Sequence, residues 1–272
     1  MADQPGGVED TEQKDNSPPI ERQPQAQGTG QESAKPTSTP PELQKPLPDS
    51  MKQFRQPVPD GKTAIKTPRG LEPLLTARQL AVKHDSEMVD ARCKCYKNCH
   101  YEIYNERHQL IYYAAEDINV FSLCCMTKYR PYRMRIYDQL QYNCVLFRGT
   151  ISFVFQQSTV ELPVSNLMGT IKKVSGPQSG KPYFDIVDAK GEIAFKIIPV
   201  AGDEVGKFDI FGSDQQTKVG EISNQWSGFF REAFANNQDS FGITLPVDMD
   251  VSWKAVLLGS LFFIDYMLYE SK

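Results

Sequence analysis

Two adjacent cysteines in a basic neighbourhood are the first residues of this sequence whose types could do chemistry. Cys124 and Cys125 are followed by four basic residues, Lys128, Arg130, Arg133 and Arg135. Thiols can carry acyl chains, and stable membrane anchoring needs two signals, such as an acyl chain plus a polybasic patch. Arg133 and Arg135 would share one face of a strand, where they could meet lipid phosphates. The pattern predicts lipidation at the cysteines and headgroup contacts at the basic residues. Two buried or incidental cysteines are the alternative.

A second cysteine cluster has the residue types of a zinc site but not its spacing. The run Cys93-Lys-Cys95-Tyr-Lys-Asn-Cys99-His100 offers four ligands, yet it matches no pair-plus-pair finger. Lipidation or a cysteine-rich strand start is therefore favoured over zinc.

Residues for hydrolytic chemistry are not arranged in a recognisable constellation. The three histidines, His84, His100 and His108, all lie in the first half of the chain, and no nucleophile stands beside a base. We therefore expect a protein that is not an enzyme.

Composition limits the partners and the compartment. A net charge of −4 and a pI near 5.5 give no general attraction to nucleic acid, so none is predicted as a partner. The first residues resemble no secretory or organellar presequence, which predicts folding in the cytosol. Six cysteines in that reducing compartment do not predict a disulfide framework.

Residues 1–76 are predicted to be a disordered cytosolic tail. Pro, Gln, Ser, Thr, Glu and Lys dominate, and no aromatic residue precedes Phe54, so this stretch cannot bury enough apolar surface to fold. No two prolines are three residues apart, and the PxxP ligand pattern is absent. A passive tether is favoured, with docking of partner proteins on the proline-rich tail as the alternative.

Strand and turn signals recur over about 150 residues after the tail. Apolar residues alternate with polar ones, and four turn segments separate the paired runs: 105–108, 138–143, 188–191 and 212–217. Such spacing is typical of an antiparallel all-β sandwich or barrel. We expect residues 77–272 to form this domain.

A terminal helix is predicted at residues 254–270, and it is apolar on every face. Such a helix lies either in lipid or inside its own protein. Its apolar run, residues 255–269, would be about 22 Å long, short of the ~30 Å hydrocarbon core. A core helix that fills a closed barrel is favoured over a marginal membrane span. Asp265 would then meet an arginine or backbone amides inside the barrel.

Several motifs in fixed order make the chain resemble a phospholipid scramblase between about His100 and Glu270. They include Tyr101-Glu-Ile103-Tyr-Asn105, Ala114-Ala-Glu-Asp117, Val219-Gly-Glu-Ile222 and Leu245-Pro-Val-Asp-Met-Asp-Val251, followed by Lys254-Ala255 and Phe263-Ile-Asp265. The resemblance implies a closed Tubby-like barrel of about twelve antiparallel strands around a hydrophobic C-terminal helix.

The resemblance also implies an activity and a location. It predicts calcium-stimulated, ATP-independent movement of phospholipids between leaflets, in both directions, by a palmitoylated membrane protein. The plasma membrane is expected, with a cytosolic N-terminus, phospholipids as partners and a homo-oligomer as one arrangement. The denser cysteine cluster of the family would fall near residues 148–160, where this chain has no cysteine. A membrane-attached Tubby-like lipid-binding or adaptor module without transport is the second hypothesis.

A calcium segment is implied by the same resemblance at residues 237–248. Asn237, Asp239 and Asp248 would take positions 1, 3 and 12 of an EF-hand-like loop. Carbonyl oxygens would come from Phe241 and Ile243. Asn237 replaces the usual aspartate and removes a charge, so we expect Ca²⁺ affinity no better than millimolar. A solvated turn leading into a strand is the alternative.

Overall fold

The structure is a computed structural model that describes residues 46–56, 67–85, 100–117, 131–151, 156–162, 166–175, 182–202, 206–223 and 240–267. All of them belong to one compact unit, residues 40–272.

Twelve strands within the described ranges form a closed antiparallel barrel in which each strand pairs with the next and β12 closes on β1. The strands are β1 (Gln79–Asp85), β2 (His100–Asn105), β3 (Leu110–Glu116), β4 (Tyr132–Asp138), β5 (Asn143–Ile151), β6 (Gln156–Leu162), β7 (Asn166–Val174), β8 (Tyr183–Asp188), β9 (Ile193–Pro199), β10 (Phe208–Phe211), β11 (Lys218–Ser223) and β12 (Ser240–Thr244). A helix, α1 (Val251–Asp265), follows β12. The predicted barrel around a C-terminal helix is confirmed.

Four hairpin turns at one end of the barrel share the same pattern of hydrogen bonds between a side chain and the nearby backbone. The side-chain oxygen of Asn105, Asp138, Asp188 or Asp214 accepts hydrogen bonds from backbone N–H groups two to four residues later, at 2.8–3.0 Å. Asn and Asp favour turns because their side chains bond their own backbone in this way. The predicted turns are confirmed, and we call this end of the barrel the hairpin end.

Strand direction alternates around the barrel, so the odd-numbered strands finish at the end opposite the hairpin end. Because every neighbouring pair is antiparallel, strands β1, β3 and β11 all finish at the end opposite the hairpin end. The chain enters β1 and leaves β12 at the hairpin end, so α1 begins there.

The terminal helix occupies the inside of the barrel. Val251 and all residues from Lys254 to Ile264 are buried. Gly259 allows the closest approach, since a Cβ at that position would overlap the ring of Phe147 on β5. The ring of Phe262 lies 5.1 Å from Tyr101 on β2, and that of Phe263 lies 5.9 Å from Phe184 on β8. The prediction of a core helix is confirmed. No helix in the described ranges has the length and apolarity needed to cross a membrane.

The bounds of the helix differ from the predicted 254–270. The helix begins three residues earlier, at Val251, because the Asp250 carboxylate caps it by accepting from the Ser252 N–H at 2.8 Å. It ends at Asp265, followed by a short π turn at Tyr266 and Met267. Residues 268–272 lie outside the described residues.

The predicted boundary of the tail at residue 76 needs correction. Residues 46–56 include a 3₁₀ segment, Asp49–Phe54, and a second 3₁₀ segment spans Glu72–Leu74. Five side chains from this region are buried in the barrel core: Leu47, Met51, Phe54, Leu71 and Leu74. The Phe54 ring lies 4.8 Å from Phe195 and 5.4 Å from Trp253. Composition predicted disorder here, but a few apolar residues suffice where an existing core accepts them.

Candidate functional site

The start of α1 at the hairpin end holds a lysine with no exposed surface. Lys254 is fully buried. Its Nζ donates hydrogen bonds to the backbone carbonyls of Leu74, Leu75, Ala77 and Val247, at 2.9, 3.3, 3.0 and 3.0 Å. Burial lowers the pKa of Lys254 to about 8. The ammonium therefore ties the segment before β1 to the segment between β12 and α1.

Gln56 reinforces the same junction from the N-terminal side. Its amide nitrogen donates to the carbonyls of Leu75, Val247 and Met249, at 3.0, 3.4 and 3.0 Å. Two of these carbonyls also accept from Lys254. Neither side chain was singled out by sequence reasoning for this role, because the acceptors are backbone oxygens that only the fold brings together.

Three of the five predicted calcium ligands fall in the described ranges. Ile243 is buried inside the barrel on a strand that pairs on both sides, with Leu80 of β1 and Ile222 of β11. Phe241 is half-buried and pairs with Val82. Backbone groups in such ladders already make hydrogen bonds, which leaves little for a metal ion.

Asp248 is the only carboxylate of the predicted segment within the described residues, and it already has partners. It accepts from the backbone N–H of Leu47, at 3.1 Å to one oxygen and 3.2 Å to the other, and lies 3.2 Å from Nε of Arg55. Asn237 and Asp239 lie outside the described residues. Among the residues the structure describes, no group of three or more His, Cys, Asp or Glu could hold a metal ion. The described part of the segment therefore does not fit Ca²⁺.

The prediction that Arg133 and Arg135 share one face of a strand is confirmed, whereas their contact with lipid headgroups stays a prediction. Arg133 and Arg135 both point outward from β4. Met134, which lies between them, and Ile136, which follows Arg135, are buried. Both guanidinium groups contact Asp117, Arg133 at 3.6 Å and Arg135 at 2.9 Å. A hydrogen bond with Tyr137 and the charge of Asp117 raise the pKa of Arg135.

Arg148 is a third arginine on this face that sequence reasoning missed. It lies directly opposite Arg133 in the β4–β5 register, is exposed and pairs with Glu161 at 3.2 Å. Its outward position follows from the alternation along β5, but its neighbour across the ladder depends on the register. Arg133, Arg135 and Arg148 form what we call the arginine face, with three positive charges against the two of Asp117 and Glu161.

The other predicted lipid contacts lie outside the described residues: Cys124, Cys125, Lys128 and Arg130. The strand ends on either side of them, Glu116 and Tyr132, lie at the end opposite the hairpin end. Ser223 and Ser240, which flank the connection that contains Asn237 and Asp239, lie at that same end. The strand ends that flank the connections with Cys124, Cys125, Asn237 and Asp239 thus lie at the same end of the barrel.

Asp265 at the end of α1 was expected to meet an arginine or backbone amides. In the structure it accepts a hydrogen bond from the hydroxyl of Tyr101, at 3.3 Å. A phenol on the barrel wall thus gives this carboxylate a polar contact near the end of an apolar helix.

Comparisons with known proteins cover the barrel and the helix together. The family model described as scramblase matches residues 59–271. Human phospholipid scramblase 1 is 31% identical over 227 residues, covering 79% of this chain and 70% of that protein. Human phospholipid scramblase 2 is 32% identical over 227 residues, covering 78% and 74%.

A more distant relative and one solved structure complete the comparison. Human phospholipid scramblase family member 5 is 26% identical over 232 residues, 80% of this chain and 84% of its own length. A protein of Arabidopsis thaliana solved by X-ray crystallography has a TM-score of 0.41 at 10% identity, over 72% of this chain and 99% of that one, a likeness that carries no argument. The family match and the human relatives decide the assignment: this chain belongs to the scramblase family.

Proposed function

We propose that this protein moves phospholipids between the two leaflets of a membrane, in both directions, without ATP and with stimulation by calcium. The observation that carries the proposal is the family match over residues 59–271, which includes the strands and α1. Relatives that are about a third identical over most of the chain are named phospholipid scramblases. Lipid transport rather than bond-breaking chemistry is the activity that this membership supports.

The filled barrel limits where a lipid could travel. Side chains of α1 and aromatic rings of the wall occupy the interior, among them Phe147, Phe184, Phe262 and Phe263, each no more than 2% exposed. A charged headgroup inside such an interior would need polar partners in place of apolar ones. In this conformation the proposed route therefore runs along the outside of the barrel.

The arginine face is the part of the outside that suits lipid phosphate. Arginine binds phosphate through parallel N–H groups, and the two carboxylates on this face do not balance its three guanidinium groups. An exposed pair with a carboxylate is worth little, about 0–1 kcal/mol, so a phosphate can take the place of Asp117. We include Lys128 and Arg130 in the proposed headgroup contacts.

Attachment and calcium stimulation form the finer part of the proposal. We propose acylation at Cys124 and Cys125, with the protein at the plasma membrane, its N-terminus in the cytosol and its tail open to partner proteins. Calcium would act weakly through the segment that contains Asn237 and Asp239. A homo-oligomer is included among the proposed arrangements.

A lipid-binding or adaptor module without transport is the second candidate, and the buried helix favours it. A helix held inside the barrel spans nothing, so the protein in this conformation sits at a surface. Fold membership alone does not decide between binding and transport.

Lipid movement in reconstituted vesicles tests the proposal. The full chain is placed in vesicles that carry a fluorescent phospholipid, and an external reductant bleaches the accessible probe with and without calcium. Loss well beyond the outer-leaflet half is expected, with a smaller calcium response in Asp239→Ala and slower loss in the double variant Arg133→Gln, Arg135→Gln.

A matched control removes two exposed positive charges from the hairpin end, in the double variant Arg107→Gln, Lys190→Gln. Equal slowing in both double variants would assign the effect to net charge and contradict the arginine face. Bleaching that stops at half of the probe, from folded and vesicle-bound protein, would reject transport in favour of the lipid-binding module.

A further inference from the structure

Residues 46–56 cross the hairpin end of the barrel, and we call them the strap. Leu47, Met51 and Phe54 are buried, at 1%, 0% and 5% exposure. Met51 lies so close to Gly212 that a Cβ on that glycine would overlap the Met51 sulfur. The strap is therefore seated on the turn between β10 and β11, while Phe54 contacts Trp253 of α1.

The strap pairs with the three residues that lead into α1. The N–H of Gln56 donates to the carbonyl of Asp248 at 2.8 Å, and the N–H of Asp250 donates to the carbonyl of Phe54 at 2.7 Å. Arg55 and Met249 form an antiparallel bridge between these two bonds. Asp250 is also the N-cap of α1, so the start of the helix is fixed to the strap by backbone hydrogen bonds.

Side chains close the same contact around Asp248. The carboxylate receives the Leu47 N–H and the Arg55 guanidinium. Arg55 also donates to the carbonyl of Leu47 and lies 3.6 Å from Asp49. Arg55 and Asp248 are 30% and 27% exposed, so their contact is partly withdrawn from water and worth more than a pair on the open surface.

We propose that the strap is a latch that retains α1 in the barrel, and that Asp248 is the clasp of this latch rather than a calcium ligand. The inference goes beyond lipid transport, because it concerns which part of the chain holds the helix in place.

Asp248 cannot pair with Arg55 and bind Ca²⁺ at the same time. Oxygen ligands bind Ca²⁺ at about 2.3–2.6 Å, and the guanidinium of Arg55 already lies 3.2 Å from the same carboxylate. A cation at that distance would face Arg55 across a shared carboxylate. While the strap is docked, the Asp248 carboxylate pairs with Arg55 and accepts a hydrogen bond from the Leu47 N–H.

A double-mutant cycle on the full chain tests the clasp. Arg55→Gln and Asp248→Asn each remove one charge and keep a similar shape. We expect each to lower the folding equilibrium constant by about fivefold, the upper end for an ion pair that keeps some exposure to water, and the double variant to lose little more than either single one. Loss in the double variant equal to the product of the two single losses would show that the residues act independently and would overturn the clasp.

A matched control pair is available on the barrel wall. Arg148 Nε and Glu161 also lie 3.2 Å apart, but they join neighbouring strands instead of closing the strap. Arg148→Gln, Glu161→Gln and their double variant should show coupling of about twofold or less. Coupling as large as at Arg55 and Asp248 would mean that the strap contact is an ordinary surface pair.

Fluorescence of Trp253 reports whether the strap is docked. The chain has two tryptophans, so a Trp226→Phe background leaves Trp253 alone. Arg55→Gln and Asp248→Asn should both raise acrylamide quenching of Trp253 at least twofold, whereas Arg148→Gln should leave it unchanged. Unchanged quenching in both strap variants would overturn the latch. If the background fails to fold, the cycle above decides without it.

A calcium titration separates the clasp from a ligand role. Calorimetry with CaCl₂ should give the same result for Asp248→Asn, Arg55→Gln and the unmodified chain, whether that result is weak binding or none. Binding that is lost in Asp248→Asn and strengthened in Arg55→Gln would identify Asp248 as a ligand and overturn the assignment. None of these measurements uses lipid, so their failure is distinct from a failure of the vesicle assay.

Discussion

Replacing Lys254 by methionine tests how much the buried ammonium contributes to the barrel. Methionine keeps an unbranched stem but provides no donor for the four carbonyls around Nζ. The ammonium has three N–H donors, so two of the four carbonyls share one of them. Hydrogen bonds to charged groups contribute about 1.5 kcal/mol each at the low end, or about 4.5 kcal/mol for three if they add. Burying the charge opposes this: a fall in pKa from 10.5 to about 8 corresponds to about 3 kcal/mol. We therefore expect Lys254→Met to lower the free energy of unfolding by about 1.5 kcal/mol at pH 7.

The pH dependence of this effect has a definite sign. The pKa of Lys254 is lower in the folded protein, mainly through burial and the charge of Arg78, while Glu106, Asp248 and Asp250 oppose the shift. Below pH 8 both states carry the proton, and the cost of burying it is constant. Between pH 8 and 10.5 the unfolded chain binds more protons, so stability from this group rises with pH, by up to about 3 kcal/mol. The gap between the unmodified chain and Lys254→Met should widen accordingly.

Urea unfolding followed by circular dichroism at pH 7, 8, 9 and 10 measures both quantities. Other groups that titrate in this range contribute equally to both proteins and cancel in the difference. Lys190→Met, at an exposed hairpin position, is the control and should change stability by no more than about 0.5 kcal/mol. A stability gap that stays constant from pH 7 to 10 would refute the argument that burial dominates the pKa of Lys254, and no loss at pH 7 would refute the role of the four carbonyls.

Substitutions at Gly259 and Asp250 test what holds α1 in position. Gly259→Ala should lower the free energy of unfolding by at least about 1 kcal/mol, because its Cβ overlaps the Phe147 ring. This loss is expected although alanine favours helices. Thermal unfolding measures it, and a second substitution, Phe147→Leu, should recover part of the loss. Asp250→Ala should cost about 1 kcal/mol through the lost cap to the Ser252 N–H, whereas Asp250→Asn keeps the acceptor and should cost less. Equal losses for the two Asp250 variants in the same assay would show that the cap is not the cause.

Sequence patterns predicted the strands of the barrel well because the alternation of apolar and polar residues is a local property of each strand. Residues of β2 alternate between the interior and the outside, and the turn residues at Asn105, Asp138, Asp188 and Asp214 form the local hydrogen bonds that their types favour. The terminal helix was also predictable, since a helix that is apolar on every face and shorter than a bilayer favours burial in protein over a membrane span. Both of its bounds differ from the prediction: the cap at Asp250 lies before the apolar run, and the α-helix ends at Asp265 instead of residue 270.

The strap was missed because composition outweighed a weaker signal. Leu47, Met51 and Phe54 follow the i, i+4, i+7 spacing of an apolar helical face, but they lie in a proline-rich stretch that predicts disorder. Three apolar side chains cannot fold a segment alone. They can dock where Phe195, Trp253 and Gly212 already form a surface, and no local pattern reveals such a surface.

The sequence by itself determined the strands, their turns, the buried helix and the outward direction of Arg133 and Arg135, because periodicity and turn chemistry are local properties. Only the tertiary structure decided which groups meet across the chain: Arg148 opposite Arg133, the carbonyls around Lys254, and Arg55 against Asp248. Asp248 and Arg55 are 193 residues apart in the sequence. Closing the barrel and crossing its end with the strap brings them together, and that closure depends on all twelve strands at once.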